Sequence, residues 1–231
     1  MVLKLKVRRQ DKKGKVLYQT FEVPYEEGMT FLTALNRVKE EQDETFTFRH
    51  FCRAGICGTC TILINGFPKL ACKEQVLYYV LLGKEITIEP LKGFQIIKDL
   101  VVDNERIIRK IKEFKGWIRS KDGEYRISQD ISQKLEKSAD CILCLACQSY
   151  CPQTLEEDYA GPLLFAKLYR LFEDPREENR EERLEQAIYN GRLYHCLSCN
   201  KCNHVCPKEV EPASEIRELM VNGNRDMDKD F

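Results

Sequence analysis

Cys52, Cys57, Cys60 and Cys72, then Cys141, Cys144, Cys147 and Cys151, then Cys196, Cys199, Cys202 and Cys206 gather all twelve cysteines of the chain into three runs of four. A thiolate is a soft anionic ligand, and four of them complete the coordination of one iron–sulfur cluster. Three complete sets suit a row of three redox centres, so the chemistry to expect is the carriage of electrons.

The first run reads Cys52-Arg53-Ala54-Gly55-Ile56-Cys57-Gly58-Thr59-Cys60. Its C-x4-C-x2-C spacing is that of plant-type [2Fe–2S] ferredoxins. Two bridged irons need thiolates from both sides and backbone N–H groups turned toward sulfur. Gly55 and Gly58 allow so tight a loop by accepting positive φ. Arg53 is counted with these glycines as a cofactor-binding residue of the loop, and Cys72, after eleven residues that follow Cys60, supplies the fourth thiolate. A four-cysteine zinc site is the plainer alternative, although zinc ribbons use two C-x2-C knuckles. His50 invites comparison with a Rieske centre, but four thiolates already fill the site, which leaves it an ordinary loop residue.

The second and third runs, each followed by a proline at Pro152 or Pro207, both read C-x2-C-x2-C-x3-C-P, the bacterial ferredoxin pattern. In that pattern three close thiolates hold one cubane and the fourth reaches to its neighbour. Cys141, Cys144, Cys147 and Cys206 are therefore expected to hold one [4Fe–4S] cluster. Cys151, Cys196, Cys199 and Cys202 are expected to hold the other. The crossing ties together two segments separated by 44 residues, so folding and cluster insertion should be coupled.

The elements that must position these loops change character along the chain. Leu3, Leu5 and Val7 alternate with Lys4, Lys6 and Arg8 in a half-buried strand, and Asp11–Gly14 turns into a second strand over Val16–Val23 with Leu17, Phe21 and Val23 on one face. Thr30 is placed to cap a helix whose Phe31, Leu35 and Val38 share a side. Thr61–Ile64, the Asn65-Gly66 turn, Lys69–Cys72 and Ile86–Glu89 return to strand composition. Beyond Asp103 helical spacing takes over, with Ile107, Ile111 and Phe114 in line. Gly161-Pro162 opens a helix bearing Leu164, Leu168 and Leu171, and Gly191 closes the next, which carries Leu184 and Ile188. The fold class expected is α+β: a plant-type ferredoxin (β-grasp) domain over residues 1–92, a linker near Pro90–Gly93, and an all-α two-cluster domain over 93–231.

Lys plus Arg and Asp plus Glu balance at 37 each, so no basic field exists to hold nucleic acid. The longest apolar run, Val76–Leu82, is far shorter than the roughly 20 residues of a membrane-spanning helix. The start, MVLKLKVRRQ, lacks the apolar core of a secretory signal, and no apolar stretch follows Arg8-Arg9. A cytoplasmic location is expected, where thiols bind metal rather than form disulfides.

Phe51–Cys72 and Gly191–Pro212, with Ile96–Asp103 and Leu168–Glu177 between them, resemble the iron–sulfur subunits of succinate dehydrogenase and fumarate reductase over nearly the whole chain. The resemblance implies docking on a flavoprotein whose FAD exchanges hydride with succinate or fumarate, and conduction of electrons through the three centres toward a membrane-bound quinone. It places the chain on the inner face of the cell membrane through partner subunits. No catalytic acid, base or flavin motif stands in the chain, so the carbon chemistry belongs to the partner. At Cys199 most members of the family have an apolar residue and a [3Fe–4S] centre; a fourth thiolate here predicts [4Fe–4S] instead. Gln153–Glu156 and Leu197 stand where the family's quinone site has a tryptophan and a histidine. A branch with this extra cysteine has cysteine-rich partners in place of haem-binding anchors, which leaves the direct acceptor open. The alternatives are a subunit of another flavoprotein oxidoreductase, such as a thiol-linked fumarate reductase or a heterodisulfide reductase-like complex, and a free ferredoxin.

Overall fold

The computed structural model describes residues 1–10, 13–120 and 123–227, with side chains described as far as residue 224. The chain forms two compact units, Met1–Asp103 with Ile142–Ser149, and Asn104–Cys141 with Tyr150–Phe231.

In the first unit the alternating N-terminal segment forms β1 (Val2–Gln10), with Leu3, Leu5 and Val7 buried and the lysines between them outward. β2 (Val16–Pro24) pairs antiparallel along all of it. Of the turn expected at Asp11–Gly14, Asp11 and Lys12 lie outside the described residues. Phe21 and Val23 enter the core, but Leu17 is exposed opposite Arg9, where the inner layer is an ion network instead of hydrocarbon. Thr30 caps α1 (Phe31–Arg37) by accepting from the Thr33 N–H, and Phe31, Leu35 and Val38 are fully buried.

β3 (Thr61–Ile64) turns through Asn65 and Gly66, both at positive φ, into β4 (Phe67–Leu70). The strand expected over Lys69–Cys72 thus begins and ends two residues early. Ala71 and Cys72 leave the ladder, and the Ala71 N–H bonds the Cys60 carbonyl instead. α2 (Leu77–Leu81) carries most of the longest apolar run and buries none of its own residues. β5 (Ile86–Glu89) then completes a sheet of order β2-β1-β5-β3-β4, parallel between β1 and β5 and antiparallel elsewhere. This is the β-grasp arrangement.

The unit continues past the linker expected near Pro90–Gly93. β6 (Ile96–Lys98) and β7 (Val101–Val102) form a short hairpin around Asp99, whose side chain is wholly buried. Its carboxylate accepts from the N–H groups of Gln10 and Thr47 and pairs with Arg9 at 3.1 Å. Arg9 also pairs with Asp43 at 2.6 Å and lies over the Phe46 ring. A buried carboxylate so compensated anchors its segment, because pulling it away breaks its bonds with the Gln10 and Thr47 N–H groups and its pair with Arg9. Ile142–Ser149 joins the same unit: Ile142 and Cys144 pack on its core, and the Lys92 N–H donates to Ser149 Oγ at 2.8 Å. The division at residues 92 and 93 therefore differs from that of the compact units.

The helices are α3 (Glu105–Glu113), α4 (Gln129–Ala139), α5 (Ala146–Tyr150), α6 (Pro162–Glu173), α7 (Arg180–Glu185), α8 (Lys201–His204) and α9 (Pro212–Met227). No strand follows Val102 among the described residues. In the second unit Gly161, at φ 88°, precedes Pro162 at the first position of α6, which buries Leu164, Leu168 and Leu171. A wide turn, Gln186–Asn190, prolongs α7 to Gly191, where φ is negative. Glycine is required there by proximity, since a Cβ would lie 2.8 Å from the Ala187 carbonyl oxygen and 2.9 Å from the Phe165 ring. Arg183 is buried against Glu177 and donates to the carbonyls of Phe114, Lys115 and Trp117, tying α7 to the end of α3.

Ser138 of α4 donates to Glu215 of α9, and both are buried. Burial raises the Glu215 carboxyl to about 8, so the pair is neutral at physiological pH. Because the folded pKa is the higher one, this contact stabilises fully below the ordinary carboxylate pKa and loses its contribution as pH climbs to about 8. The melting temperature of the cluster-loaded protein should fall between pH 5 and pH 9 more steeply than that of Glu215→Gln; equal slopes would refute this.

Candidate metal centres

Cys52, Cys57 and Cys60 occupy the loop between α1 and β3, and Cys72 follows β4, all within the first unit. Gly55 and Gly58 take φ of 72° and 71°, and Arg53, exposed, also adopts positive φ at 58°. These reversals turn backbone donors inward: the N–H groups of Ala54, Ile56 and Cys57 lie 3.4, 3.3 and 3.2 Å from Cys52 Sγ. Those donors draw the Cys52 thiol down to about 6, so it is poised to ligate as thiolate. Cys57 Sγ lies 3.1 Å from Thr59 Oγ1. Cys60 is buried beside Cys72, and burial pushes its thiol up to about 12. Cys52 thus lies beside Cys57, and Cys60 beside Cys72, with Cys57 near enough for its charge to act on Cys60.

The second and third runs repeat one backbone device. Leu143 and Leu145, two and four residues after Cys141, have φ of 53° and 67°; Ser198 and Asn200, at the same offsets from Cys196, have φ of 50° and 58°. None is glycine, and a leucine in this region carries strain of order 1–3 kcal/mol. The same reversal at matching positions of both runs, despite unlike side chains, marks a conformation imposed by what the loops enclose.

In the second unit Cys151, Cys196, Cys199 and Cys202 line one open pocket, with Pro152, Pro162, Ala213 and Ile216 as apolar wall. Burial raises Cys151 to about 11 and Cys202 to about 12, and each is raised further by the charges of neighbouring cysteines of the set. Cys202 is buried, Cys151 and Cys196 are half-buried, and Cys199 is exposed. Cys151 thus stands in one pocket with the first three cysteines of the third run.

Residues 4–109 match a family described as 2Fe-2S iron-sulfur cluster binding domains, and residues 133–207 a family described as 4Fe-4S dicluster domains. Among curated proteins, the chain is 35% identical over 197 residues to the mitochondrial succinate dehydrogenase [ubiquinone] iron-sulfur subunit 1 of Oryza sativa subsp. japonica, which covers 82% of this chain and 69% of the relative. It is 32% identical over 228 residues to the fumarate reductase iron-sulfur subunit of Mycobacterium tuberculosis, covering 96% of this chain and 92% of that one. The chain belongs to the succinate dehydrogenase and fumarate reductase iron–sulfur subunit family. A structure of the Mycobacterium smegmatis Sdh1 complex in the apo form contains a chain that superposes with a TM-score of 0.87 at 26% identity, covering 96% of this chain and 95% of that one. This chain also spans 39% and 41% of the length of two longer iron–sulfur proteins to which it is 35% and 34% identical.

For a member of this family the donor set of the cavity fits a cubane. Four soft ligands converge, the wall between them is apolar, and none of the twelve cysteines is in a disulfide. Thiols raised by burial and mutual repulsion give up their protons when a cationic cluster replaces them. The other bacterial-type set, Cys141, Cys144, Cys147 and Cys206, divides between the two units, and its assignment rests on the duplicated spacing. Tyr159 is a residue the spacing did not reveal. Its ring is buried in the wall of the Cys151 cavity, eight residues beyond Cys151 and just before the Gly161-Pro162 helix start, where no motif marks it.

Proposed function

We propose that this chain is the electron-transfer subunit of a succinate dehydrogenase or fumarate reductase assembly, linking the FAD of a flavoprotein partner to a membrane-bound acceptor. Cys52, Cys57, Cys60 and Cys72 hold a [2Fe–2S] cluster; Cys141, Cys144, Cys147 and Cys206 a [4Fe–4S] cluster; Cys151, Cys196, Cys199 and Cys202 a second [4Fe–4S] cluster. When bound, the clusters supply one-electron steps that no side chain of the chain offers.

One observation carries the order of the wire. Gly58, in the first loop, sits so close to the second run that a Cβ there would lie 2.9 Å from Cys144 Cα. Backbone contact between two ligand loops gives electrons a short path from the first centre to the next. Exposed apolar side chains stand near both sites: Phe51 and Ile56 by the first loop, Leu155 and Leu197 by the third run and Cys151. Such side chains suit docking of a flavoprotein on the first unit and an anchor subunit on the second. No helix among the described residues is long and apolar enough to cross a membrane, which accords with attachment through partners.

Gln153–Glu156 and Leu197 favour a second reading of the distal end alone, in which the acceptor is a cysteine-rich subunit rather than a quinone pocket of the usual kind. Anaerobic purification from the native source should bring down a flavoprotein and give succinate-dependent dye reduction. An intact flavoprotein that neither oxidises succinate nor reduces fumarate would overturn the proposal and favour another flavoprotein oxidoreductase; a lone, stable chain would favour a free carrier.

A further inference from the structure

The geometry points to the Tyr159 hydroxyl as the hydrogen-bond donor that tunes the distal centre, acting on the sulfurs of Cys196 and Cys151 and making that centre easier to reduce. The inference rests on the assignment of a cluster to Cys151, Cys196, Cys199 and Cys202. Tyr159 is 1% exposed and lines the same cavity as all four thiols. Cys151 and Cys196 are the thiols of the set that lie beside its side chain.

The position of the ring does not depend on the cluster. Phe165 packs against it at 5.5 Å, the Tyr159 carbonyl accepts from Lys110 Nζ at 2.8 Å, and the Ala160 N–H donates to the Gly191 carbonyl at 3.0 Å. A hydroxyl fixed in an apolar wall must donate to what it faces or remain unsatisfied at a cost. The other polar side chains of the wall turn elsewhere: Gln153 donates to the His195 carbonyl, and Asn200 accepts from Arg217. Lys201 is exposed.

Reduction places negative charge on the cluster and its thiolates, and a donor to sulfur stabilises the reduced form more than the oxidised one. Removal of this one proton should therefore lower the equilibrium constant for reduction about tenfold, which is about 59 mV for a one-electron couple.

The test is a redox-titrated EPR series on the intact complex with Tyr159→Phe, which keeps the ring against Phe165. The distal potential should fall by about that amount while the other two centres keep theirs and the iron content is unchanged. An unchanged distal potential at full iron content overturns the inference. Should Tyr159→Phe lose distal iron, 3-fluorotyrosine placed at position 159 keeps the packing and makes a stronger donor; the distal potential must then rise, and a failure to rise overturns the inference. A wild-type complex with no cluster at these four cysteines would remove the assignment itself, an outcome told apart by the missing distal signal.

Discussion

Wild-type protein purified anaerobically should carry about ten iron atoms per chain, and Cys199→Ala about nine, with a three-iron EPR signal present only in the variant. Cys199 lines the cavity with Cys151, Cys196 and Cys202, and its charge acts on both Cys151 and Cys202. A fourth thiolate in that position completes a cubane. Without it, the corner iron keeps only its bridging sulfides and leaves. The change of cluster type and net charge also moves the potential, since both help to set it.

Exposure adds a second expectation from the same site. Cys199 is the exposed member of the four, so a corner held by it would face solvent. Air should strip wild-type protein toward the variant's signal, whereas anaerobic wild type should show none. A three-iron signal from an intact anaerobic wild-type sample would mean that Cys199 does not ligate, whatever its place in the wall.

The proposed ligand sets rest on short, fixed spacings, and two copies of C-x2-C-x2-C-x3-C-P leave little room for another reading. The strands over Val2–Gln10, Thr61–Ile64 and Ile86–Glu89 and the cap at Thr30 were legible for a similar reason: period and capping are local. What escaped was set by contacts between distant segments. Arg9 looks like any outlying charge of a strand until Asp43 and Asp99, 34 and 90 residues away, converge on it. Ile142–Ser149 belongs by sequence to the helical half, yet it packs on the sheet unit because Ile142 and Cys144 find their apolar partners there. Leu143 and Leu145 carry no glycine-like signal for positive φ. Tyr159 is one of ten tyrosines, and only burial beside four thiols sets it apart.

Gly58→Ala should abolish the [2Fe–2S] centre, whereas Gly55→Ala should leave it assembled. Both glycines are at positive φ, where any L side chain is strained by roughly 1–2 kcal/mol, so strain alone does not separate them. The neighbours do. A Cβ on Gly55 would meet Lys73 Cγ at 2.8 Å and Cδ at 2.9 Å, and Lys73 is an exposed, flexible chain that can swing into water. A Cβ on Gly58 would meet Cys144 Cα and Cβ and the Ile142 carbonyl oxygen, each at 2.9 Å. Two of those atoms are backbone, held by a loop already strained at Leu143 and Leu145, and they cannot yield without moving Cys144 or the Cys52–Cys60 loop. Overpacking of that kind adds about 1–3 kcal/mol to the φ strain, a sizeable part of the 5–15 kcal/mol that holds a typical domain together. Visible absorption and iron content should show Gly58→Ala lacking about two irons per chain, with faster amide exchange over residues 142–149, and Gly55→Ala near wild type. Full iron and an unaltered [2Fe–2S] spectrum in Gly58→Ala would show that the two ligand loops are not in contact, and the short path from the first centre to the second would go with it.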